Sequence, residues 1–280
     1  MTVGPLRPAD IEAALALSTG EGWNQTAADW RRLMALEPEG CFAAREGSRV
    51  VGTVTTTTYG RALAWIGMMV VHPDSRRRGL GAALMRRALD HAHALGIARV
   101  MLDATPAGRP LYEALGFVAE CEVERWQGVA RSRGAADATA PIRAAREAIL
   151  ALDEAAYDVD RSNLLDVLIE ESPDGPLVME SESGLPLGCA LARPGRTASY
   201  VGPLLATTRE VAIALLDGML ARYDGREVCL DRHHGGHLDE SMLAERGLAK
   251  RRILTRMCHG PANERGAARS LCASAGPEFG

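Results

Sequence analysis

Arginines and glycines at close spacing carry the clearest chemistry in this sequence, in HPDSRRRGLGAAL, His72 to Leu84. The segment follows an apolar run, WIGMMVV (Trp65 to Val71), turns at His-Pro-Asp and opens an alanine- and leucine-rich helical pattern. A strand, a glycine loop and a helix N-terminus in that order make an anion site. Glycines let the backbone approach a ligand, the first helical N–H groups lack intrahelical acceptors, and the helix dipole favours negative charge. A solvated face is the ordinary reading of three arginines. The two glycines and the position after a strand favour a phosphate-bearing ligand instead. Neither GxxxxGK[ST] nor GxGxxG occurs, which argues against a nucleoside-triphosphate loop and against a dinucleotide fingerprint.

The elements that must hold this loop follow from periodicity. Residues 6–19 read as a short strand and a helix, and residues 21–36 as a second helical region. Cys41–Ala44 and Arg49–Thr58 read as strands joined by a Gly47-Ser48 turn. Ala64–Val71 is a further strand. Arg78–Leu95 is helical, with Leu84, Ala88, Ala92 and Leu95 near one face and Gly96 as its stop. Arg99–Asp103 is a short strand, Gly108–Leu115 a helix ended by Gly116, and Val118–Trp126 a final strand. The order β-α-α-β-β-β-α-β-α-β predicts an α/β (α+β) domain, a mixed and mostly antiparallel sheet flanked by helices.

The second half repeats the first in outline. Gly47 and Gly52 correspond to Gly184 and Gly188, WIGMMVV to YVGPLLA (200–206), and VMLD (100–103) to VCLD (228–231). Ten residues separate Gly116 from Trp126, and again Gly247 from Met257. Four pairings in one order indicate an internal duplication. The copies differ at the loop: Gly67 to Asp103 spans 36 residues but Gly202 to Asp231 only 29, and TTREVA replaces the arginine- and glycine-rich stretch. The expected organisation is a catalytic domain at 1–128, a linker at 129–141, a degenerate copy at 142–260 and a flexible tail at 261–280.

Composition bounds the rest. At 280 residues, 47% hydrophobic and 24% charged, the chain has the make-up of a soluble globular protein. A formal charge of -4 argues against nucleic acid as the main partner. No apolar run is long enough for a bilayer, and MTVGPLRPADIEAAL lacks the build of a signal peptide, so a cytoplasmic protein without membrane association is expected. The six cysteines have no metal-ligand spacing and read as free thiols. His233, His234 and His237, beside Asp231 and Asp239, read as a polar loop of the second copy, with a contribution to the acceptor-pocket rim as the alternative ahead of a metal site. No metal is expected.

Arg76-x-x-Gly79-x-Gly81 resembles the acyl-CoA pyrophosphate loop of the GNAT superfamily of N-acetyltransferases, and PLYEALGF (110–117) resembles that family's Leu-Tyr-x-x-x-Gly-Phe segment. The resemblance covers residues 1–128, and residues 142–260 resemble the degenerate second domain of some bacterial members. It implies tandem acyltransferase folds with acetyl-CoA as the acyl donor. Backbone N–H groups of Arg77, Arg78, Gly79, Leu80, Gly81 and Ala82 would hold the pyrophosphate, with Arg76 adding charge. Met69, Val70 and Val71 would pair with the pantetheine arm. Thr105 and Gly108 would complete the cofactor contacts, although the family often carries asparagine where Thr105 stands. Tyr112 would be the general acid for the leaving thiolate, a role that suits a phenol protonated at neutral pH.

The acceptor is expected to be a primary amine of a small molecule. Many family members deprotonate it with a glutamate on the fourth strand, yet residues 64–71 hold no acid. Glu21 is the candidate base, unless a water chain serves, with Trp23, Asn24 and Asp29 as acceptor-side groups and Trp30 as part of an apolar wall. Core packing of the tryptophans and a helix-start role for Glu21 are the plainer readings. Asp158, Asp160 and Arg161 are candidate pocket groups of the second copy, with surface charge as the alternative. A protein lysine or N-terminus as acceptor, or a non-catalytic acyl-CoA sensor, are the competing functions. The chain is expected to be a monomer or a homodimer.

Overall fold

A computed structural model describes residues 1–133, 142–261 and 269–280. Most of the expected linker and the start of the expected tail lie outside the described residues. The chain divides into two compact units, Met1–Glu120 with Arg256–Ala262 and Glu278–Gly280, and Cys121–Thr255 with Asn263–Pro277.

The first unit opens with β1 (Thr2–Pro5), α1 (Ile11–Gly20) and α2 (Ala27–Leu36). Thr26 and Asp29 form a reciprocal capping box at the start of α2, which fixes where that helix begins. The meander β2 (Cys41–Glu46), β3 (Arg49–Tyr59) and β4 (Leu63–Val71) follows, then α3 (Leu80–Ala94), β5 (Val100–Ala104) and α4 (Arg109–Ala114). Strands β1 to β4 pair antiparallel in sequence order, and β5 joins β4 in parallel. Helix α3 buries Leu80, Leu84, Met85, Ala88 and Ala92 on the sheet beside Val54, Ala64 and Ile66. Leu95, expected on the same face, is exposed, because it is the C-cap where the chain turns at Gly96.

Two departures from regular pairing shape β4. Thr53 pairs with Val70 but Thr55 with Gly67, so β4 carries one extra residue, with Met68 at a left-handed φ of 49°. Thr53 Oγ1 donates to the Met68 carbonyl at 2.8 Å and fixes the bulge. The pairing of β4 with β5 covers only Ala64↔Val100 and Trp65↔Met101. The six residues from Ile66 to Val71 continue past that pairing.

The second unit contains β6 (Val118–Val129) from Cys121 onward, α5 (Ile142–Tyr157), α6 (Ser162–Glu170), β7 (Leu177–Glu180), β8 (Pro186–Arg193) and β9 (Ser199–Ala206). Helix α7 (Arg209–Arg222), β10 (Glu227–His233), α8 (Glu240–Glu245), β11 (Leu248–His259) as far as Thr255, and β12 (Leu271–Ala273) complete it. Strands β7 to β9 are antiparallel, β10 joins β9 in parallel, and β6 pairs antiparallel with β10, Trp126 opposite Leu230. The same order of elements recurs, and so does a packing detail. A Cβ on Gly52 would lie 3.0 Å from the Val70 carbonyl and 3.1 Å from Leu84, and one on Gly188 would lie 2.6 Å from the Leu205 carbonyl and 2.8 Å from Leu215. In both copies a glycine lets the strand approach the leucine of the next helix.

The residues expected to be a mobile tail are ordered where they are described. Leu271–Ala273 form β12 between β9 and β10, and Glu278 and Phe279 are buried in the first unit. Their small, polar composition hid contacts made far away in sequence. All six cysteines are free thiols.

Candidate active site

The anion loop is built by a turn and a helix start. Beyond β4, Pro73–Ser75 make a 3₁₀ turn closed by Ser75 N–H on the His72 carbonyl at 2.9 Å. Arg77 takes φ 58° and Gly79 φ 80°, so the chain curls twice through left-handed backbone before α3. Gly79 is the N-cap, no side chain caps the helix, and its first turn holds no acid. The first N–H groups of α3 therefore have neither an intrahelical acceptor nor a side-chain cap, beside a cationic loop.

Gly81 lies close to β4 and α4. A Cβ there would stand 2.9 Å from the Met69 methyl and 3.1 Å from Leu111, so a side chain would push against both. The uncapped helix start and the left-handed loop fit an anion such as a pyrophosphate. The second copy offers the contrast. Thr208 Oγ1 caps α7 from within, accepting from Val211 N–H at 3.3 Å, and Glu210 sits in the first turn. Backbone and Thr208 hydrogen bonds hold the Glu210 carboxyl below its ordinary range, so an anion already occupies that helix start.

Of the loop arginines, Arg76 donates from Nε to the Val71 carbonyl at 2.8 Å and from its other end to Glu21. Arg78 donates to Glu46 at 2.8 Å. Both are exposed pairs and are worth at most about 1 kcal/mol each.

Tyr112 lies on α4 and is buried in the core under α3. Its ring leans back over Gly108. A Cβ at Gly108 would meet the ring at 3.0 Å, the phenol oxygen at 3.3 Å and Thr105 Oγ1 at 3.4 Å. Thr105 Oγ1 accepts from Gly108 N–H at 3.2 Å, so the threonine standing at the family's asparagine position caps the turn into α4. Phe117 packs edge-on at 6.1 Å. Burial alone pushes the phenol up to about 12. It stays protonated throughout the neutral range, as an acid must.

The acceptor-side residues divide. Glu21 lines a cavity of about 570 Å³ with Ala13, Leu17, Val50, Val70 and His72, between α1 and the ends of β3 and β4. Tyr112, Trp23, Asn24 and Asp29 do not line it. Trp23 and Asn24 are half-buried in the α1–α2 connection. Asp29 is buried, accepting from Thr26 N–H and Oγ1 and from Arg32, so its oxygens serve the start of α2. Trp30 is fully buried core.

In the second unit Arg161 is buried and pairs in two places with Asp153, stacking 3.5 Å from the Tyr157 ring, so it serves packing rather than a pocket. Asp160, just before α6, accepts from Ser162 N–H at 2.8 Å. Asp231 is buried against Arg125 and Tyr200, His233 is buried in β10, and Asp239 caps α8, held down to about 2 chiefly by Met242 N–H. Residues that the sequence reading did not single out also occupy the first unit. Glu278 accepts from Gln25 Nε2 at 2.8 Å, and Tyr59 donates to the Phe279 carbonyl at 2.6 Å. Their composition gave no signal.

Comparison with known proteins follows the same division. The acetyltransferase (GNAT) family model matches residues 11–117, and a second acetyltransferase (GNAT) domain model matches 149–271. An uncharacterized N-acetyltransferase, YitH, of Bacillus subtilis is 27% identical over 180 residues, 63% of this chain and 62% of its own. A glucosamine 6-phosphate N-acetyltransferase of Trypanosoma brucei brucei is 34% identical over 96 residues, 32% of this chain and 65% of its own. The chain thus spans less than two thirds of these curated relatives. In fold, a candidate acetyltransferase of Pyrococcus horikoshii superposes with a TM-score of 0.81 at 20% identity, over 100% of this chain and 95% of that one. A GCN5-related N-acetyltransferase of Sphaerobacter thermophilus gives 0.69 at 16%, over 94% and 96%. No helix among the described residues is long and apolar enough to cross a membrane. The chain carries two GNAT folds in tandem.

Proposed function

We propose that this chain transfers an acetyl group from acetyl-CoA to a primary amine of a small molecule, at one site in the first unit. The observation that carries the reading is the pairing of an open anion loop with a buried, protonated phenol. The loop leads into α3 past the end of β4, which pairs with β3 but extends beyond its pairing with β5, and Tyr112 follows on α4. The second copy has no equivalent loop, so one site per chain is expected.

Bound acetyl-CoA would supply an acyl thioester. The N–H groups from Arg77 to Ala82 would hold its pyrophosphate, and the backbone of Met69, Val70 and Val71 would align its arm. Thr105 and Gly108 set the position of the Tyr112 ring. The Tyr112 phenol oxygen gives its proton to the leaving sulfur. Trp23 and Asn24 belong to the acceptor side. Glu21, expected as a base, lines the cavity while its carboxylate bonds Arg76. We assign it to steering the loop and the acceptor rim.

A small-molecule acceptor is favoured by a relative named for glucosamine 6-phosphate and by another, of Thermobispora bispora, named mycothiol acetyltransferase, 33% identical over 91 residues. The test is thiol release from acetyl-CoA with panels of amino sugars, amino acids and polyamines. Amine-dependent release from at least one member is expected. Tight CoA binding with no release from any panel would overturn the small-amine reading in favour of a protein acceptor or a sensor.

A further inference from the structure

We propose that the cavity between α1 and the ends of β3 and β4 holds the body of the acceptor, and that Arg49 at its mouth selects an acceptor carrying an anionic group, a carboxylate or a phosphate. The assignment rests on the acyl-transfer reading above. Every residue that lines the cavity belongs to the first unit. Its volume of about 570 Å³ is that of a small-molecule site. The space exists because α1 carries short side chains there. Ala13, Ala16 and Gly20 recur at three- and four-residue spacing, so they fall on one side of the helix, where nothing exceeds a methyl group. Leu17 and Val50 complete an apolar wall.

The two faces of β4 explain why the acceptor belongs in this space. Gly67 and Val70 stand opposite Thr55 and Thr53, alternate residues of β3, so they share a face despite the bulge between them. Gly67 is covered, since a Cβ there would lie 2.9 Å from the Glu278 backbone. Val70, further along the strand, lines the open cavity. Its backbone is also part of the segment assigned to the donor's arm. Tyr112 clusters with Val54, Ile66 and Val71 on the opposite face. The acid and the acceptor therefore approach β4 from opposite sides.

The charges at the mouth set the selection. Asp10 and Glu21 both line the cavity, but Asp10 pairs with Arg45 and Glu21 with Arg76. Glu46, opposite Arg49 in the β2–β3 hairpin, accepts from Arg78 and Ser75. Arg49 itself bonds His72 Nε2 at 2.9 Å, and Asp74 stands 3.6 Å from the other nitrogen of that ring. Among the described residues no carboxylate pairs with Arg49. The acids of the cavity thus have arginines of their own, whereas Arg49 has only an imidazole. One bond to that ring leaves the rest of the guanidinium fork for carboxylate or phosphate oxygens. An acceptor with a second ammonium would meet this cation with no acid left to offset it.

The test uses the full chain with acetyl-CoA and matched acceptors: amino acids against their amides, and amine-bearing phosphate monoesters against the parent amino alcohols and amino sugars, with spermidine as a cationic control. Each acceptor is compared between wild type and Arg49→Gln, so its own ammonium pKa cancels. For an anionic acceptor that wild type uses, Arg49→Gln should lower kcat/KM about tenfold, chiefly through KM. Its uncharged counterpart should change by less than about twofold, and so should CoA affinity by calorimetry. The carboxylate and phosphate arms identify which anion is taken. Ala16→Phe, which fills the cavity from α1, should raise KM about tenfold for every amine used while CoA affinity holds. Both positions are exposed, so the variants keep the fold. Equal effects of Arg49→Gln on anionic and uncharged acceptors, a preference for spermidine, or an unchanged KM in Ala16→Phe would overturn the assignment while wild-type turnover stands. So would turnover of uncharged amines alone. Absence of amine-dependent thiol release in wild type would overturn the acyl-transfer reading itself, and the role of Arg49 with it.

Discussion

Arg76 and Glu21 are joined by a hydrogen-bonded ion pair, and the same guanidinium holds the Val71 carbonyl through Nε. The first arginine of the loop therefore ties the end of β4 to the end of α1. Glu21→Gln should free part of that cation for an anionic ligand. CoA should bind about threefold more tightly by calorimetry, turnover should stay within about threefold, and stability should change by less than about 1 kcal/mol because the pair is exposed. A large loss of turnover would return Glu21 to the role of base.

Gly79 marks where the loop enters α3, at φ 80°. An alanine there costs about 1–2 kcal/mol of backbone strain or shifts the loop. Gly79→Ala should lower stability by about 1 kcal/mol and weaken CoA binding about tenfold, read by denaturant titration and calorimetry.

Tyr112 links the site to alkaline stability. Burial lifts its folded pKa from 10.0 to about 12, so the folded protein keeps a proton that the unfolded chain loses. That contribution is fully present below the unfolded pKa and is lost as pH rises through the folded one. Relative to Tyr112→Phe, wild-type stability should fall by about 2 kcal/mol between pH 9 and 12. Urea midpoints of both proteins across that range measure it.

Asp29 belongs to the frame around the site. It accepts from Thr26 N–H and Oγ1 and pairs with Arg32 while buried. Asp29→Ala removes a cap and an ion pair together and should cost about 3 kcal/mol of stability. CoA affinity at low temperature should hardly change.

Much of the site is local, and that part was readable. Gly79 and Gly81 stand out by their spacing after a strand, and Tyr112 by the resemblance of PLYEALGF to the family's segment, whereas Asp29, expected on the acceptor side, forms a capping box with Thr26. Longer reach escaped. The Gln25–Glu278 bond spans 253 residues, and no periodicity encodes a contact between a helix connection and a segment that looks like a tail. Alternation made residues 118–126 a strand but could not name its partner, β10. Arg161, read as a candidate pocket group or a surface charge, is neither, because its buried partner Asp153 stands on a neighbouring helix.

The most direct measurement is the initial rate of amine-dependent thiol release by wild type and Tyr112→Phe, with CoA affinity measured beside it. The account predicts a fall in kcat of about 100-fold or more with CoA affinity within about twofold. Equal kcat in the two proteins would contradict it.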